Sequence, residues 1–429
     1  MEKKNVVGIL AIILVLTFSI GLNVTKAEEK ELVIGSVQDL SGPWSSAGKS
    51  LVAGRADYAR YVNEELGGVE GAKFKVMTVD TAYKIDKEIS AFKKFLNVDN
   101  ALAMINSHSG AAYAISNMTE ESGAAMPFTH SSEPTAVFRG KGSWYFGSSG
   151  PTAGDGTVSM VLWYIKNVWN KKDPPRIGLV NSDVAPGHAS ALYAREIFQK
   201  EGLPVAADLL IPPFPMDTSN FAMQMRKAKI DLAVGLQTNA GWTVTLRDME
   251  KFSVSVPVLV VGILSDKEVK ALGDAAIGMY KLSWTALWED TEVPAVQLVR
   301  KLRKKWGYTE PADSNYFWGW MQGGIICEAI SRALKKAGGY DKFMADIDKA
   351  RHLVRDVLEN DMKGFDVMGL IPPLNYQDND HRGFDDCRIY QVQPDFTLKF
   401  LDMAPPYPMD DKYKNTKWWL EAYQKGKKK

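Results

Sequence analysis

The sequence has few residues of the types that carry metal or catalytic chemistry. It contains two cysteines and five histidines in 429 residues. None of them recurs at a metal-ligand spacing, so no metal or other cofactor is predicted. No phosphate-binding loop of the Gly-x4-Gly-Lys type occurs. The formal net charge is only +1 at pH 7, which gives no support for nucleic-acid binding. The lack of metal-ligand spacings and of a phosphate-binding loop favours a protein that is not an enzyme.

The two cysteines, Cys327 and Cys387, leave the redox state of the chain open. A disulfide is permitted in an oxidising compartment, but a separation of 60 residues along the sequence says nothing about proximity. Two free buried thiols agree with the sequence equally well.

The N-terminus carries the features of an export signal. Lys3 and Lys4 precede a nearly continuous apolar run at residues 6–20, and Thr25-Lys26-Ala27 is similar to a small-x-small cleavage site. The apolar run is shorter than the roughly 20 residues that a membrane-spanning helix needs. We therefore predict a signal peptide at residues 1–27, cleaved after Ala27, and a periplasmic mature protein.

Strand-like segments alternate with helix-like segments along the mature chain, which is long enough for two domains. In the first part, strands are predicted at residues 32–37, 74–79, 101–105 and 125–128. The alternation restarts after the Gly- and Pro-rich residues 150–156, with strands predicted at residues 176–181, 205–211, 231–236 and 256–262. This pattern predicts an α/β protein with two Rossmann-like, doubly wound lobes.

The last third of the chain follows a different pattern. Helices without intervening strands are predicted at residues 293–306, 315–337 and 340–354, and we expect them to cover the sheet of the first lobe. A late pair of extended segments is predicted at residues 369–376 and 387–392.

Polar loops follow the predicted strands of the first lobe, where ligands bind in open parallel sheets. Residues 32–48 run from an apolar strand through a loop of Ser, Gly and Pro into a helix. The free N–H groups of that helix can hold an anion or a carbonyl. The candidate ligand-binding residues are Trp44 after the first strand, Ser107 and Ser109 after the third, and Ser131, Ser132 and Glu133 after the fourth. Any single hydroxyl among them could instead cap a helix.

Three candidates lie at the corresponding strand ends of the second lobe. Asp183 and Asp266 are possible partners for a ligand cation, and each is alternatively a helix N-cap. Trp242, like Trp44, could supply a flat apolar wall, although buried aromatic residues usually fill cores.

Several motifs, in this order along the chain, resemble the periplasmic solute-binding proteins of branched-chain amino-acid-type ABC transporters, the type I periplasmic-binding fold of leucine-binding proteins. The resemblance rests on the opening element at residues 32–48, the helix end at Gly67-Gly68, the loop at 127–134, the strand and turn at 176–187, and the late segment at 369–384. It covers essentially the whole mature chain.

The resemblance implies two lobes joined by three crossovers that close on a ligand. With it, residues 28–150 and 281–365 are assigned to lobe 1, and residues 151–280 and 366–429, including the C-terminal tail, to lobe 2. In relatives, the loops that correspond to Ser107 and Ser109, and to Ser131, Ser132 and Glu133, hold an amino-acid carboxylate. Glu133 stands where a small hydroxyl residue is usual, and Asp266 lies later than the expected acid, so the ligand class stays open.

We therefore predict a monomeric solute-binding protein that captures a small polar ligand and delivers it to an ABC permease. The ligand is an amino acid, an amide or an aromatic carboxylate. A ligand-sensing subunit of a membrane signalling system is the alternative. A secreted hydrolase that uses His130 is the least favoured hypothesis, because a serine adjacent to a histidine in sequence rarely aligns for proton transfer.

Overall fold

A computed structural model of the protein describes residues 29–42, 44–106, 108–122, 126–130, 143–148, 150–262, 264–377 and 380–407. The predicted signal peptide and four candidate residues (Ser107, Ser131, Ser132 and Glu133) lie outside these ranges. No helix within the described ranges is both long and apolar enough to cross a membrane.

Two separate sheets organise the described residues. The first sheet is parallel, in the order β2-β1-β3-β4-β5. Its strands are β1 (Glu31–Gln38), β2 (Lys73–Asp80), β3 (Ala103–Ile105), β4 (Phe128–His130) and β5 (Tyr145–Gly147). The second sheet has the order β12-β11-β10-β9-β8-β6-β7. Its strands are β6 (Ile177–Ser182), β7 (Val205–Ile211), β8 (Leu232–Gly235), β9 (Val258–Val261), β10 (Tyr280–Ser283), β11 (Cys387–Val392) and β12 (Leu398–Ala404). We call the bodies built on these sheets lobe 1 and lobe 2.

Helices connect the parallel strands and cover the sheets. They are α1 (Ser45–Glu65), α2 (Ile85–Asn97), α3 (Ser109–Ser122), α4 (Ala153–Asn167), α5 (Ala185–Lys200), α6 (Ser219–Ala228), α7 (Asn239–Lys251), α8 (Asp266–Leu272), α9 (Pro294–Lys305), α10 (Ser314–Ala337), α11 (Tyr340–Met344) and α12 (Ile347–Asp361). The strand–helix alternation is the doubly wound α/β pattern that the sequence predicts.

The long helix α10 returns to lobe 1 and packs closely against α1. A side-chain carbon added to Gly54 would overlap the carbonyl oxygen of Tyr316, and one added to Gly319 would overlap that of Leu51. The two backbones can therefore approach only because both positions are glycine. The adjacent Trp320 is fully buried in the lobe 1 core.

Two details of the predicted secondary structure are wrong. No strand forms within residues 369–376, and β11 pairs instead with β12, because Pro372 and Pro373 cannot donate to a strand ladder. The helix predicted at 340–354 is divided into α11 and α12, since Asp346 caps α12 by accepting a hydrogen bond from the Lys349 N–H at 3.1 Å.

The chain crosses between the lobes three times, between β5 and α4, between β10 and α9, and between α12 and β11. An ion cluster fastens the third crossing: the Arg382 guanidinium lies 3.2 Å from Asp155, 2.6 Å from Asp380 and 3.0 Å from Asp385. The residue limits assigned to each lobe from the sequence stay a prediction.

Cys327 and Cys387 are both buried free thiols. Cys327 lies in the core of lobe 1 and Cys387 in a core of lobe 2. Of the two alternatives that the sequence leaves open, the structure therefore supports free thiols.

Candidate functional site

The two lobes use the same turn after β1 and β6, each of which lies next to an edge strand of its sheet. A side-chain carbon on Gly48 would overlap the carbonyl oxygen of Asp39 in the β1–α1 turn, and one on Gly187 would overlap that of Ser182 in the β6–α5 turn. The N-cap residues of α1 and α5, Trp44 and Val184, make no side-chain cap hydrogen bond. Helix N-termini of this kind leave backbone N–H groups available to a ligand.

Carboxylates fix the loop that carries Trp44. Asp39 accepts hydrogen bonds from the N–H groups of Gly42 at 2.5 Å and Trp44 at 2.7 Å. Asp80 accepts from Leu40 and Ala82, each at 2.9 Å. Hydrogen bonds from Ser41, Leu40 and Ala82 hold the pKa of the Asp80 carboxyl at about 2. The indole of Trp44 is therefore attached to a loop of fixed conformation.

A strained turn after β2 brings Tyr83 against the same loop. Ala82 and Tyr83 have φ angles of +48° and +59°, a left-handed conformation that is uncommon for residues other than glycine. The Tyr83 ring centroid lies 3.9 Å from that of His108 and 6.0 Å from that of Trp44. Tyr83 is not among the residues predicted from the sequence, because those follow the first, third and fourth strands of lobe 1. It lies at the carboxyl end of the second strand, where ligands also bind in open parallel sheets.

Buried polar groups hold His108 in place. The backbone N–H of His108 donates to Asn106 Oδ1 at 2.9 Å, and Asn106 Nδ2 donates to Glu88 Oε2 at 2.7 Å. Burial raises the pKa of Glu88 to about 8 and lowers the pKa of His108 to about 4. The His108 imidazole is therefore neutral at pH 7. Its Nδ1 atom is buried and has no hydrogen-bond partner among the described residues.

Lobe 2 presents neutral polar side chains at its strand ends. Asn181 and Ser182 end β6, and Gln237 follows β8; all three are at most 1% exposed. Within the described part of the chain, Asn181 Nδ2, Ser182 Oγ and both amide atoms of Gln237 are buried without a hydrogen-bond partner. An unsatisfied buried polar group costs about 1–3 kcal/mol, so a bound ligand that pairs with these atoms would be favoured. Sequence reasoning named these loops but did not select these residues.

The candidate residues predicted from the sequence have different environments in the structure. Trp44 is half-buried, and Ser109 is buried at the start of α3. Asp183 is exposed and accepts a hydrogen bond from His188 at 2.6 Å. Asp266 lies 3.7 Å from the buried Lys281 ammonium.

Neither aspartate is an N-cap, and that alternative is wrong, because Val184 and Ser265 occupy the N-cap positions of α5 and α8. Trp242 is 0% exposed within the lobe 2 core, so the structure gives it no open face toward a cleft. Contact of the ligand with Trp242, Asp183 and Asp266 stays a prediction.

Two side-chain contacts connect the strand-end loops of the lobes. Ser46 Oγ donates to Glu268 Oε1 at 3.3 Å, and the Trp44 ring centroid lies 6.4 Å from that of Phe214 in an edge-on arrangement. Burial raises the pKa of Glu268. The binding loops of the two sheets thus face each other across one cleft, at the edge where open α/β sheets bind ligands.

Two α/β lobes that are joined by three crossings, and whose strand-end loops contact each other, have the architecture of a two-lobed binding protein. Residues 31–397 match the family model described as periplasmic binding protein. The chain belongs to this family. No curated protein sequence matches the chain.

Solved structures share the fold at low sequence identity. A branched-chain amino acid ABC transporter protein from Thermus thermophilus with bound valine superposes with a TM-score of 0.75 at 18% identity, over 90% of this chain and 98% of that one. A fatty acid ABC transporter substrate-binding protein from Thermomonospora curvata gives 0.73 at 21% identity, over 90% and 94%. An R. palustris solute-binding protein in complex with benzoate gives 0.70 at 18% identity, over 89% and 98%.

Proposed function

We propose that the protein captures a small molecule between its lobes outside the cytoplasm and delivers it to the permease of an ABC importer. The observation that carries this proposal is a set of buried polar atoms at the strand ends that have no hydrogen-bond partner among the described residues: His108 Nδ1 in lobe 1, and Asn181 Nδ2, Ser182 Oγ and the Gln237 amide in lobe 2. Groups of this kind are normally hydrogen-bonded in folded proteins, and a ligand is the partner that the fold would supply.

The comparisons with solved structures support the binding of a small molecule by a protein of this fold. Proteins of the same fold hold valine or benzoate, and one is named for fatty acids. These ligands share a small size and a carboxylate. We propose that the present chain likewise binds a small molecule, as a monomer, after removal of residues 1–27.

Ligand-dependent stability tests the proposal. Binding to the folded state alone raises the free energy of unfolding by about 2.7 kcal/mol at a ligand concentration of 100 Kd. We expect at least one compound from a panel of amino acids, aromatic acids, fatty acids and amides to raise Tm in a saturable way. Mass spectrometry should recover that compound chemically unchanged, and turnover would instead support a hydrolase.

A matched pair of variants locates the site. Gln237→Met removes both amide atoms from the proposed cleft at similar side-chain size, whereas Gln224→Met changes an exposed glutamine of α6 in the same lobe. We expect the first variant to lose at least tenfold in affinity and the second to bind as the parent does. Equal affinities in the two variants would contradict the assignment. Replacement of Ser131 and Ser132 by Ala tests the hydroxyls predicted from the sequence.

A further inference from the structure

Several acidic side chains near the cleft contact other groups of the protein. Asp183 accepts from His188 at 2.6 Å, and Asp39 accepts from two backbone N–H groups. Asp266 lies 3.7 Å from Lys281, whose ammonium is 1% exposed and donates to Ser314 Oγ at 3.0 Å.

Glu268 contacts Ser46 across the cleft through Oε1, whereas Glu268 Oε2 and Asp266 Oδ1 are buried without a hydrogen-bond partner among the described residues. Asp313, a neighbour of both acids, accepts from the Tyr316 N–H at 2.8 Å and from Ser50 Oγ at 2.7 Å. Burial raises the pKa of the Glu268 and Asp266 carboxyls. These acids therefore leave open whether the ligand carries an ammonium group.

Aromatic rings from both lobes line the same region. Trp44, Tyr83 and His108 form a continuous series in lobe 1, with centroid separations of 6.0 Å and 3.9 Å. Phe214 comes from the loop after β7 in lobe 2 and remains 44% exposed. Its ring lies edge-on to Trp44 at 6.4 Å. Rings at these separations and angles interact favourably with further aromatic rings.

Two ring nitrogens within this cluster lack partners. Trp44 Nε1 and His108 Nδ1 are both buried, and neither has a hydrogen-bond partner among the described residues. An indole N–H can only donate, so Trp44 needs an acceptor such as a carboxylate or carbonyl oxygen. The cluster thus combines an apolar aromatic wall with a donor that has no acceptor among the described residues.

We propose that the ligand is a planar aromatic molecule that carries a carboxylate or carboxamide. Its ring packs against Trp44, Tyr83 and Phe214, and an oxygen of its polar substituent accepts from Trp44 Nε1. This inference rests on the proposed solute-binding function and narrows it to one substrate class. Phe214 joins the site from lobe 2, so it contributes to binding only when the lobes face each other.

Calorimetric titration of the full-length protein, freed of bound ligand by dialysis, tests the substrate class. The probes are benzoate, benzamide, L-phenylalanine, L-valine and octanoate. We expect benzoate, benzamide or L-phenylalanine to bind at least tenfold more tightly than L-valine and octanoate. L-Valine controls for the ring in an amino acid, and octanoate controls for the ring in a carboxylate.

The outcomes separate the inference from the proposed function. Tighter binding of L-valine or octanoate than of the three aromatic probes overturns the aromatic assignment but leaves a solute-binding protein. An absence of binding by all five probes overturns the aromatic assignment, and an absence of any hit in the wider panel overturns the proposed function too.

Variants at Phe214 test the geometry. Phe214→Leu should weaken binding of the preferred aromatic probe by about five- to tenfold, the equivalent of losing one aromatic pair. The control is Phe252→Leu, a partly buried phenylalanine of the same lobe that follows the far, C-terminal end of α7. It should bind within twofold of the parent. Equal losses in the two variants, or no loss for Phe214→Leu, would contradict the proposed position of the ring.

Discussion

In lobe 1 a buried charged group makes its hydrogen bonds within the lobe, whereas lobe 2 buries neutral amides whose atoms lack partners among the described residues. The Arg55 guanidinium is fully buried and donates to Gln322 Oε1 at 2.8 and 3.0 Å and to Ser36 Oγ at 2.9 Å. Burial lowers the pKa of Arg55 to about 9. In lobe 2, by contrast, Asn181 and Gln237 hold buried amide atoms without partners within the described residues.

The difference concerns how the loops are held. A satisfied buried network fixes side chains in one arrangement, so the Arg55 network positions part of lobe 1 before a ligand arrives. Unsatisfied groups gain most from a ligand, and among the described residues both lobes hold some: Trp44 Nε1 and His108 Nδ1 in lobe 1, and the amides of Asn181 and Gln237 in lobe 2. Binding then favours the arrangement in which both sets of loops contact one molecule.

The largest expected effect comes from breaking the ion cluster that fastens the third crossing. Arg382→Gln leaves Asp155 buried without its cation, and loss of one member of a buried ion pair costs about 3–5 kcal/mol. We expect a fall of this size in the free energy of unfolding, measured by urea denaturation. Arg300→Gln, on the exposed side of α9, should change stability by less than about 0.5 kcal/mol. Similar free energies of unfolding for both variants would show that the ion cluster adds no stability.

A second test removes the buried carboxyl of lobe 1. The pKa of Glu88 is raised from 4.5 to about 8 by burial, with Asp39 and Arg55 as its charged neighbours. Between these pH values the folded protein retains a proton that the unfolded chain has lost, so stability falls as pH rises from 4.5 to 8 and then levels off. One pKa unit corresponds to about 1.4 kcal/mol, and the total fall is therefore a few kcal/mol.

Glu88→Gln should remove this pH dependence. We expect the variant to exceed the parent in stability at pH 9 by about 2 kcal/mol or more, and by less at pH 5, since glutamine carries no charge to bury. Urea denaturation at the two pH values measures the difference. Glu250→Gln, at an exposed site on α7, serves as the control. Parallel pH profiles for parent and Glu88→Gln would exclude a buried, protonated Glu88.

The two glycines of the equivalent turns allow the lobes to be compared directly. Gly48→Ala and Gly187→Ala each force a methyl group onto a backbone carbonyl, and overpacking of this kind costs about 1–3 kcal/mol. We expect similar losses of stability in both variants. Gly48→Ala should weaken ligand binding more, because its turn carries Trp44.

Gly110→Ala is the control for these turns. The nearest atom to an added carbon there is the flexible end of Ile85 at 3.1 Å, and alanine favours the α3 helix. A stability loss at Gly110→Ala as large as at the two turns would mean that the strand–helix contact is not the cause.

Much of the fold follows from the sequence, because apolar runs bounded by turn residues define strands locally. Cys387–Val392 and Val205–Ile211 have the limits that the sequence predicts. The strand β5 was not predicted, although it is no shorter than β3 and β4. The segment at 369–376 has a strand-like composition, but its two prolines exclude it from a sheet ladder.

The site was less predictable because its contacts join distant parts of the chain. Ser46 and Glu268 are 222 residues apart, and Trp44 meets Phe214 only after both lobes have folded. Trp242 shows the same limit: its position at a strand end indicates the right loop, but periodicity cannot tell whether the indole faces the cleft or the core. Local sequence indicates which loops bind, and tertiary packing decides which side chains do.

The smallest expected effect concerns Asp183, an acid of lobe 2 that the sequence assigned to the ligand. Its side chain is 55% exposed and pairs with His188, which is 53% exposed, and exposed ion pairs contribute about 0–1 kcal/mol. Asp183→Asn should therefore change stability by less than about 0.5 kcal/mol. If the ligand lacks an ammonium group, the affinity for benzoate or benzamide should also stay within twofold of the parent. Asp274→Asn, an exposed acid remote from the β6–α5 turn in sequence, provides the baseline for loss of one surface charge. A tenfold loss of affinity in Asp183→Asn alone would show that the Asp183 carboxylate contacts the ligand. Lobe 2 would then recognise charge as well as neutral polar groups.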